Sequence, residues 1–387
     1  MSTANLLTAT RAPWTGKTLG LVVNPFAGMG GGVGLKGTDG SDILEEARRR
    51  GAQPLSGERA VRALTRFAKS ATSFRLLTGS DDMGENAARA AGLEPIVVHR
   101  STLGASGPAD TRAAAAAMAL WPVDLLIFAG GDGTARDILD AVDDRVPMLG
   151  IPAGVKMYSA VFGTTPENAG NLVSLFLEGS PAARVREAEV MDLDEAAMRE
   201  DRLSAHLYGY ARSPYERFLA QNAKAGSGFG EDAALDAVCR RVAAGMRPGC
   251  LYIVGPGTTM RRVMVALGLP ATLLGVDAVL DGRLAGADLN ERALLGLMEG
   301  HEARIVVGVL GGHGSLFGRG NQQISAEVIR RTGRDRITVI SSIEKLIALG
   351  GAPLHVDTGN EEINALLSGY IRVETGPGRS TPFLVTT

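Results

Sequence analysis

Short apolar runs alternate with longer, polar-faced stretches through the first half of the chain. Two runs, 19–23 and 123–129, are apolar at almost every position rather than at every second one. Strands of this kind are buried on both faces, as in a parallel sheet covered by helices. Further strands are predicted at 74–77, 95–98 and 146–151, and helices at 39–50, 111–120, 135–142 and 166–178. The pattern predicts an α/β first domain with a doubly wound parallel sheet.

The pattern becomes less regular after Gly179-Ser180-Pro181, a turn-forming cluster that marks a domain boundary. Beyond it, strands are predicted at 184–193, 203–211, 251–254, 305–310, 337–340, 354–356 and 371–374, with a helix at 231–244. A chain of 387 residues suits two domains. We predict a nucleotide-binding α/β domain over 1–182. A mixed, β-rich substrate domain follows over 183–387, and its last segment could return to the first domain.

Charge and hydropathy argue against two classes of partner, nucleic acids and membranes. The net charge is −2 and the pI about 6.3, whereas a nucleic-acid surface normally carries a basic excess. The most apolar stretch, 113–129, is interrupted by Pro122 and Asp124 and is too short to span a bilayer. We therefore expect neither a nucleic-acid partner nor a membrane partner.

The two cysteines, Cys239 and Cys250, lie eleven positions apart, and no CxxC pair or zinc-ligand spacing accompanies them. This usage predicts reduced thiols in the core of a cytoplasmic protein, with no metal ion held by protein ligands. As partners we expect a small-molecule nucleotide and its acceptor, and we expect a homo-oligomer.

The strongest chemical signal is the GGDGT motif, which follows the buried run 123–129 and precedes a helix. Ligands gather at the carboxyl ends of parallel strands, and a helix N-terminus there attracts phosphate. Glycines in such a turn let backbone N–H groups approach phosphate oxygens. A carboxylate beside phosphates could accept a proton from an acceptor hydroxyl or orient it. Alternatively, Asp132 or Thr134 caps the helix. The motif consists of Gly130, Gly131, Asp132, Gly133 and Thr134.

Two other turns follow strands of the same predicted sheet and contain small residues. The first begins with Asn24 and Pro25 and includes Gly28; the second includes Gly154 and Lys156. Both could contact a nucleotide, with Lys156 neutralising phosphate charge. The alternatives are a flexible surface loop for the first turn and a solvated lysine for the second.

The order of these three turns resembles that in the superfamily that unites NAD kinases with diacylglycerol and sphingosine kinases. The segments 34–40, 135–137 and 318–325 resemble a narrower branch, the ATP-NAD kinase-like proteins, which include the AcoX-type proteins. The likeness extends from about residue 19 to residue 376.

This resemblance implies a kinase with an α/β N-terminal domain, a β-rich C-terminal domain and an active site between them. It implies ATP or polyphosphate as the phosphoryl donor, Mg²⁺ held mainly by phosphates, and Asp132 as the catalytic carboxylate. Gly257, Thr258 and Thr259 are similar to the substrate loop of NAD kinases.

The acceptor is less defined: NAD kinases have an Asn-acid pair that binds the NAD nucleoside, and the nearest candidate for it in this sequence is Asp194-Glu195. A carboxylate in place of the amide changes the match of donors and acceptors. The acceptor could be a hydroxyl of NAD or of a related small metabolite. A lipid or other metabolite kinase and a non-catalytic nucleotide-binding regulator also remain open.

Two polar segments of the second half are open to more than one interpretation. The amides at 321–323 could bind a polar ligand or serve as caps and turn bonds. Asp357 could bind a metal or a hydroxyl, but a helix N-cap is the favoured interpretation.

Overall fold

The computed structural model describes residues 14–35, 41–101, 107–143, 145–154, 157–193, 205–220, 229–310, 314–376 and 378–387. Within these ranges the chain forms a five-stranded sheet, a nine-stranded sheet and a two-stranded hairpin. No helix in the described parts of the chain is long and apolar enough to cross a membrane.

The five-stranded sheet is parallel throughout, with the strand order β3-β2-β1-β4-β5. Its strands are β1 (Lys17–Val23), β2 (Phe74–Gly79), β3 (Ile96–His99), β4 (Leu125–Gly130) and β5 (Met148–Pro152). The helices of this half are α1 (Met29–Gly32), α2 (Ser41–Arg49), α3 (Ser56–Phe67), α4 (Glu85–Ala90), α5 (Pro108–Ala119), α6 (Asp132–Val142) and α7 (Pro166–Leu177). The strand order reverses between β1 and β4, and a crevice opens at such a point beyond the strand ends.

Helices cover both faces of this sheet, which is therefore doubly wound. Side chains at successive positions of a strand point to opposite faces. Leu125 and Ile127 of β4 pack in the same cluster as α3 and α7. Leu126 and Phe128, on the other face, pack with α5 and α6. The strands are apolar at nearly every position because neither face meets water.

An antiparallel hairpin follows, formed by β6 (Arg184–Leu193) and β7 (Ala205–Tyr215). Its residues Ala188, Val190 and Ala211 are buried in the same cluster as α6. The hairpin therefore extends the core of the first sheet. The predicted division after residue 182 stays a prediction.

The nine-stranded sheet is mixed, with the order β10-β9-β8-β11-β13-β15-β16-β14-β12. Its strands are β8 (Cys250–Val254), β9 (Asp277–Leu280), β10 (Arg283–Gly286), β11 (Glu302–Gly308), β12 (Ser315–Phe317), β13 (Ile337–Ile340), β14 (Leu354–Val356), β15 (Gly369–Gly376) and β16 (Arg379–Thr386). Its helices are α8 (Phe229–Ala244), α9 (Thr258–Ala266), α10 (Glu291–Met298), α11 (Ala326–Thr332), α12 (Ile343–Ala348) and α13 (Glu361–Leu367).

This second sheet also has a core on each face. Leu251 and Ile305 pack in one cluster with α10, α11 and α13. Tyr252 and Val306 pack in another with α8 and α9. Both cysteines are free and buried, as predicted for core thiols.

The predicted fold class is confirmed, with an α/β sheet followed by a mixed β-rich sheet. Several elements were not predicted from the sequence, among them α3, α4, α9, α10, β9, β10, β12 and β16. The last strands, β15 and β16, belong to the nine-stranded sheet and do not join the first one.

Candidate active site

Three turns meet beyond the carboxyl ends of β1, β4 and β5, where the strand order reverses. The Asn24 side chain at the end of β1 donates from Nδ2 to Thr134 Oγ1 over 3.0 Å. Its Oδ1 accepts the N–H of Phe26 at 3.1 Å, which fixes the turn around Pro25. After β5, the N–H groups of Ala153 and Gly154 donate to the carbonyl of Gly130 over 2.9 and 3.2 Å. The structure thus brings the GGDGT motif against both of the other predicted turns.

Glycines in these turns allow the turns themselves to pack closely. A Cβ on Gly28, whose φ is +80°, would lie 1.8 Å from the carbonyl oxygen of Ala153. A Cβ on Gly154 would lie 3.0 Å from the Cα of Gly131, and one on Gly130 would lie 2.4 Å from the Thr134 side chain. Backbone contact between turns therefore gives a reason for these glycines besides the predicted approach to phosphate.

Asp132, the first residue of α6, is only 5% exposed. Its Oδ2 accepts the N–H of Tyr158 at 2.7 Å. Its Oδ1 accepts both the N–H and the hydroxyl of Ser159, at 3.0 and 2.5 Å. Gly131 occupies the N-cap position, and Thr134 bonds to Asn24. The cap interpretation of Asp132 is therefore wrong, because its carboxylate bonds across the crevice to another segment.

Burial raises the pKa of the Asp132 carboxyl above its ordinary value. Hydrogen bonds from Ser159 and Tyr158, together with the positive charge of Arg319, offset part of that increase. Burial and the neighbouring Asp132 charge also raise the pKa of the Tyr158 hydroxyl to about 12. The pKa of Asp132 is therefore set by burial and by these protein partners.

Arg319 reaches this site from the second half of the chain. It is 7% exposed, and its Nη2 donates to the carbonyl of Met157 over 2.9 Å. Burial lowers its pKa to about 10, and the nearby Asp132 charge opposes that decrease. Asn321 holds the loop: its Oδ1 accepts the N–H of Gly318 at 3.0 Å, and its Nδ2 donates to Leu316 O at 2.9 Å. Asn321 thus forms turn bonds, one of the two interpretations left open for this segment.

A second set of charges joins the two halves of the chain. Arg59 on α3 donates from Nη1 to the carbonyl of Pro152 over 2.9 Å, and the same nitrogen lies 3.4 Å from Asp357 Oδ2. Arg62 Nη1 lies 2.9 Å from Asp357 Oδ1, and Arg62 also binds Glu167 through two hydrogen bonds of 2.7 and 3.1 Å. This network borders a groove of about 780 Å³.

Asp357 does not cap a helix. The N-cap of α13 is Asn360, whose side chain accepts the N–H of Ile363. Burial alone would raise the pKa of Asp357, but the charges of Arg59 and Arg62 hold it below its ordinary value. The favoured N-cap prediction is therefore wrong, and Asp357 is an ion-pair partner between the two halves.

Several predicted site residues lie elsewhere or cannot be described. Lys156, Asp194 and Glu195 lie outside the described residues. Gly257, with φ +108°, is the N-cap of α9, and Thr258 is the first residue of that helix. Thr258 borders a separate cavity of about 560 Å³ beside Arg240, Arg261 and Arg262. Thr259 accepts a bond from the Cys239 thiol through its carbonyl. Substrate binding by these residues stays a prediction.

Four residues of this site were not predicted from the sequence: Arg59, Tyr158, Ser159 and Arg319. A signal existed for the helix that carries Arg59, because Ala60, Ala63, Leu64 and Phe67 have the spacing of a buried helix face. Tyr158, Ser159 and Arg319 are brought to Asp132 by tertiary contacts, for which the sequence holds no local pattern.

Within the described ranges, no group of three His, Cys, Asp or Glu side chains is arranged to hold a metal ion. Three hydrogen bonds from described residues reach the Asp132 carboxylate. A carboxylate has about four lone-pair sites, so about one site remains for a further partner. A cation near Asp132 could therefore gain about one oxygen ligand from this carboxylate.

Comparison with protein families agrees with this architecture. The model of the ATP-NAD kinase N-terminal domain matches residues 19–180. The model of the ATP-NAD kinase C-terminal domain matches residues 248–384. No curated protein matches the sequence. The two family matches cover nearly all of the five-stranded sheet and nearly all of the nine-stranded sheet. The chain therefore belongs to the NAD kinase-like family and is an ATP-dependent kinase of the NAD-kinase type.

Proposed function

We propose that the protein transfers the terminal phosphoryl group of ATP to a hydroxyl of NAD or of a related small metabolite, with Asp132 as the catalytic carboxylate. The observation that carries this proposal is the setting of Asp132. It is buried at the start of α6, held by Tyr158 and Ser159, and retains about one lone-pair site. A carboxylate fixed in this way can meet an incoming hydroxyl without first reorganising.

The donor phosphates would bind where the three turns meet. The first turn of α6 presents backbone N–H groups there, and the end of a helix favours negative charge. Asn24 and Gly28 would line one side, and Gly154 the other. When bound on the phosphates, Mg²⁺ would offset the negative charge of the transferring group.

In this mechanism Asp132 orients the acceptor hydroxyl and accepts its proton as the new bond to phosphorus forms. The raised pKa of Asp132 makes the carboxylate a better proton acceptor than an exposed aspartate. Tyr158 and Ser159 fix the orientation of the carboxylate, since both donate hydrogen bonds to it.

The direct test measures NADP formed from NAD and ATP·Mg²⁺ by the wild-type protein, Asp132→Asn and Asp137→Asn. Asp137 is a matched control, because it lies further along α6, is equally buried, and pairs with Arg112 at 2.5 Å. We expect Asp132→Asn to lose turnover while still binding ATP, and Asp137→Asn to lose stability but keep turnover. A parallel assay with polyphosphate in place of ATP identifies the donor.

A folded Asp132→Asn variant with full activity would contradict the proposed role of Asp132 as the catalytic carboxylate. If the folded wild type binds ATP but forms no NADP, the acceptor is not NAD, and other hydroxyl metabolites and a lipid dispersion are assayed next. Bound nucleotide without turnover on every acceptor would identify a non-catalytic regulator instead of a kinase of small metabolites.

A further inference from the structure

Arg319 lies on a loop shaped to present it to the first half of the chain. Gly318 and Gly320, on either side of it, have φ values of +100° and +90°, which favour glycine. A Cβ on Gly318 would lie 1.9 Å from the carbonyl oxygen of Asp357. Asn321, fully buried, bonds to both Gly318 and Leu316. The loop is therefore held tightly, and the direction of Arg319 is set by the backbone.

The guanidinium of Arg319 contacts the segment that holds Asp132. It donates to the carbonyl of Met157, and the next two residues, Tyr158 and Ser159, donate to the Asp132 carboxylate. Replacement of Arg319 would therefore disturb the hydrogen bonds that Tyr158 and Ser159, the next two residues after Met157, donate to Asp132.

Opposite charge adds a second link between these residues. Asp132 is the anion that faces Arg319, and Tyr158 carries the titratable hydroxyl beside both of them. Arg59 approaches Arg319 from α3 with the same sign of charge. The positive charge of Arg319 therefore favours the ionised form of the buried Asp132 carboxylate.

We propose that Arg319 is a positioning residue for Asp132, which keeps the carboxylate ionised in a buried site and fixes the segment 157–159 that orients it. The inference rests on the proposed role of Asp132. It adds that the second half of the chain supplies the charge that makes the base usable. Arginine suits this position because its planar group can donate to a carbonyl while its charge faces a carboxylate.

A purely structural role for Arg319 makes a different prediction. In that case, replacement would lower stability but leave the titration of Asp132 unchanged. In a positioning role, loss of the charge raises the pKa of Asp132, and the acid limb of the pH–rate profile moves to higher pH.

The experiment follows the titration of Asp132 directly, by NMR of protein labelled with ¹³C at aspartate Cγ, in the full-length chain. The Asp132 signal is assigned by its absence in Asp132→Asn. Wild type, Arg319→Met and Arg319→Lys are compared, and unfolding temperature is measured on the same samples. Where turnover is detectable, the pH dependence of kcat/KM is recorded as a second measurement.

We expect Arg319→Met to raise the midpoint of the Asp132 titration by roughly one pH unit or more. Arg319→Lys should keep the midpoint near the wild-type value, because the charge is retained, but lose turnover through the altered segment 157–159. A folded Arg319→Met variant with an unchanged midpoint would overturn the proposal.

If Arg319→Met does not fold, Arg319→Gln is titrated in its place, because it keeps a hydrogen-bond donor but loses the charge; an unchanged Asp132 midpoint in that variant would equally overturn the proposal. The NMR titration requires no acceptor. Failure of NAD to act as acceptor is therefore distinguishable from failure of this inference.

Discussion

Asp132 and Asp357 are both buried carboxylates at the contact between the two halves of the chain, yet their partners differ. Asp357 meets the guanidinium groups of Arg59 and Arg62 directly. Asp132 is held by two backbone N–H groups and one hydroxyl, with Arg319 as the nearby cation. Burial would raise the pKa of either carboxyl, but only at Asp357 do the partners reverse the direction.

This difference separates a carboxylate that stabilises from one that can react. Two arginines keep Asp357 ionised, so it has little tendency to take up a proton. At Asp132 the hydrogen bonds and the charge of Arg319 offset only part of the pKa increase that burial causes. The carboxylate is therefore more basic and better suited to accept a proton at neutral pH. The predictions below test this contrast.

The largest effects are expected from replacing each carboxylate by its amide. Asp132→Asn should reduce kcat by roughly 10²–10⁴-fold, because the proposed proton acceptor is lost. Asp357→Asn should cost about 3–5 kcal/mol of unfolding free energy, because the buried Arg59 loses its anion and the half-buried Arg62 loses one of its two. Assays of turnover per folded molecule and urea unfolding of both variants measure the contrast. Equal losses of turnover in Asp132→Asn and Asp357→Asn would show that the two carboxylates do not differ in their roles.

The glycine contact beside Asp132 is tested by Gly28→Ala, with Gly51→Ala as control. Both glycines have φ near +80°, but a Cβ on Gly51 meets no atom within 4 Å. Gly51→Ala should cost about 1–2 kcal/mol from backbone strain alone. Gly28→Ala should cost more, because its Cβ would collide with the carbonyl of Ala153, and turnover should fall as well. Similar unfolding free energies for the two variants would show that the turns do not pack as described.

Stability should depend on pH with opposite sign at the two carboxylates. The pKa of folded Asp132 lies above 3.8, so its contribution to stability is present below 3.8 and is lost as pH rises through the folded value. The pKa of folded Asp357 lies below 3.8, so its contribution is present above 3.8 and is lost as pH falls through the folded value.

Urea unfolding at pH values on both sides of 3.8 measures this difference, with each variant subtracted from the wild type. With rising pH, wild type should lose stability relative to Asp132→Asn and gain it relative to Asp357→Asn. The slope is limited to about 1.4 kcal/mol per pH unit for one group. Slopes of the same sign would contradict the contrast.

The smallest effect is expected at the outer end of the Asp357 network. Glu167→Gln removes one partner of Arg62, which still keeps Asp357 at 2.9 Å. Because the pair is partly exposed, we expect a cost of about 0.2–1 kcal/mol and unchanged turnover. A cost as large as that of Asp357→Asn would mean that Glu167, rather than Asp357, anchors the arginines.

The strands and the three turns could be predicted because their signals are local. The continuous apolar runs around β1 and β4 predicted strands buried on both faces, and the GGDGT motif follows one of them directly. The convergence of Asn24, Gly28 and Gly154 on the motif then follows from parallel strands that end at one edge.

The remaining parts of the site could not be predicted, because they depend on contacts between distant residues. Arg319 and Met157 are 162 positions apart in the sequence, and nothing near either residue indicates the other. Asp357 precedes a helix and so matches the pattern of an N-cap, but Asn360 takes that position. Asp357 instead pairs with Arg59 and Arg62, contacts that no local pattern indicates.

The charges between the two halves come alternately from each half: Arg62, then Asp357, then Arg59, then Arg319, then Asp132. On the ribosome, Arg59 and Asp132 emerge long before residues 319 and 357 are made. If the first half folds before they are made, these groups are hydrated at that stage. We expect water to leave the site only when the last third of the chain docks, so that a truncated first half would lack the charge that Arg319 places beside Asp132.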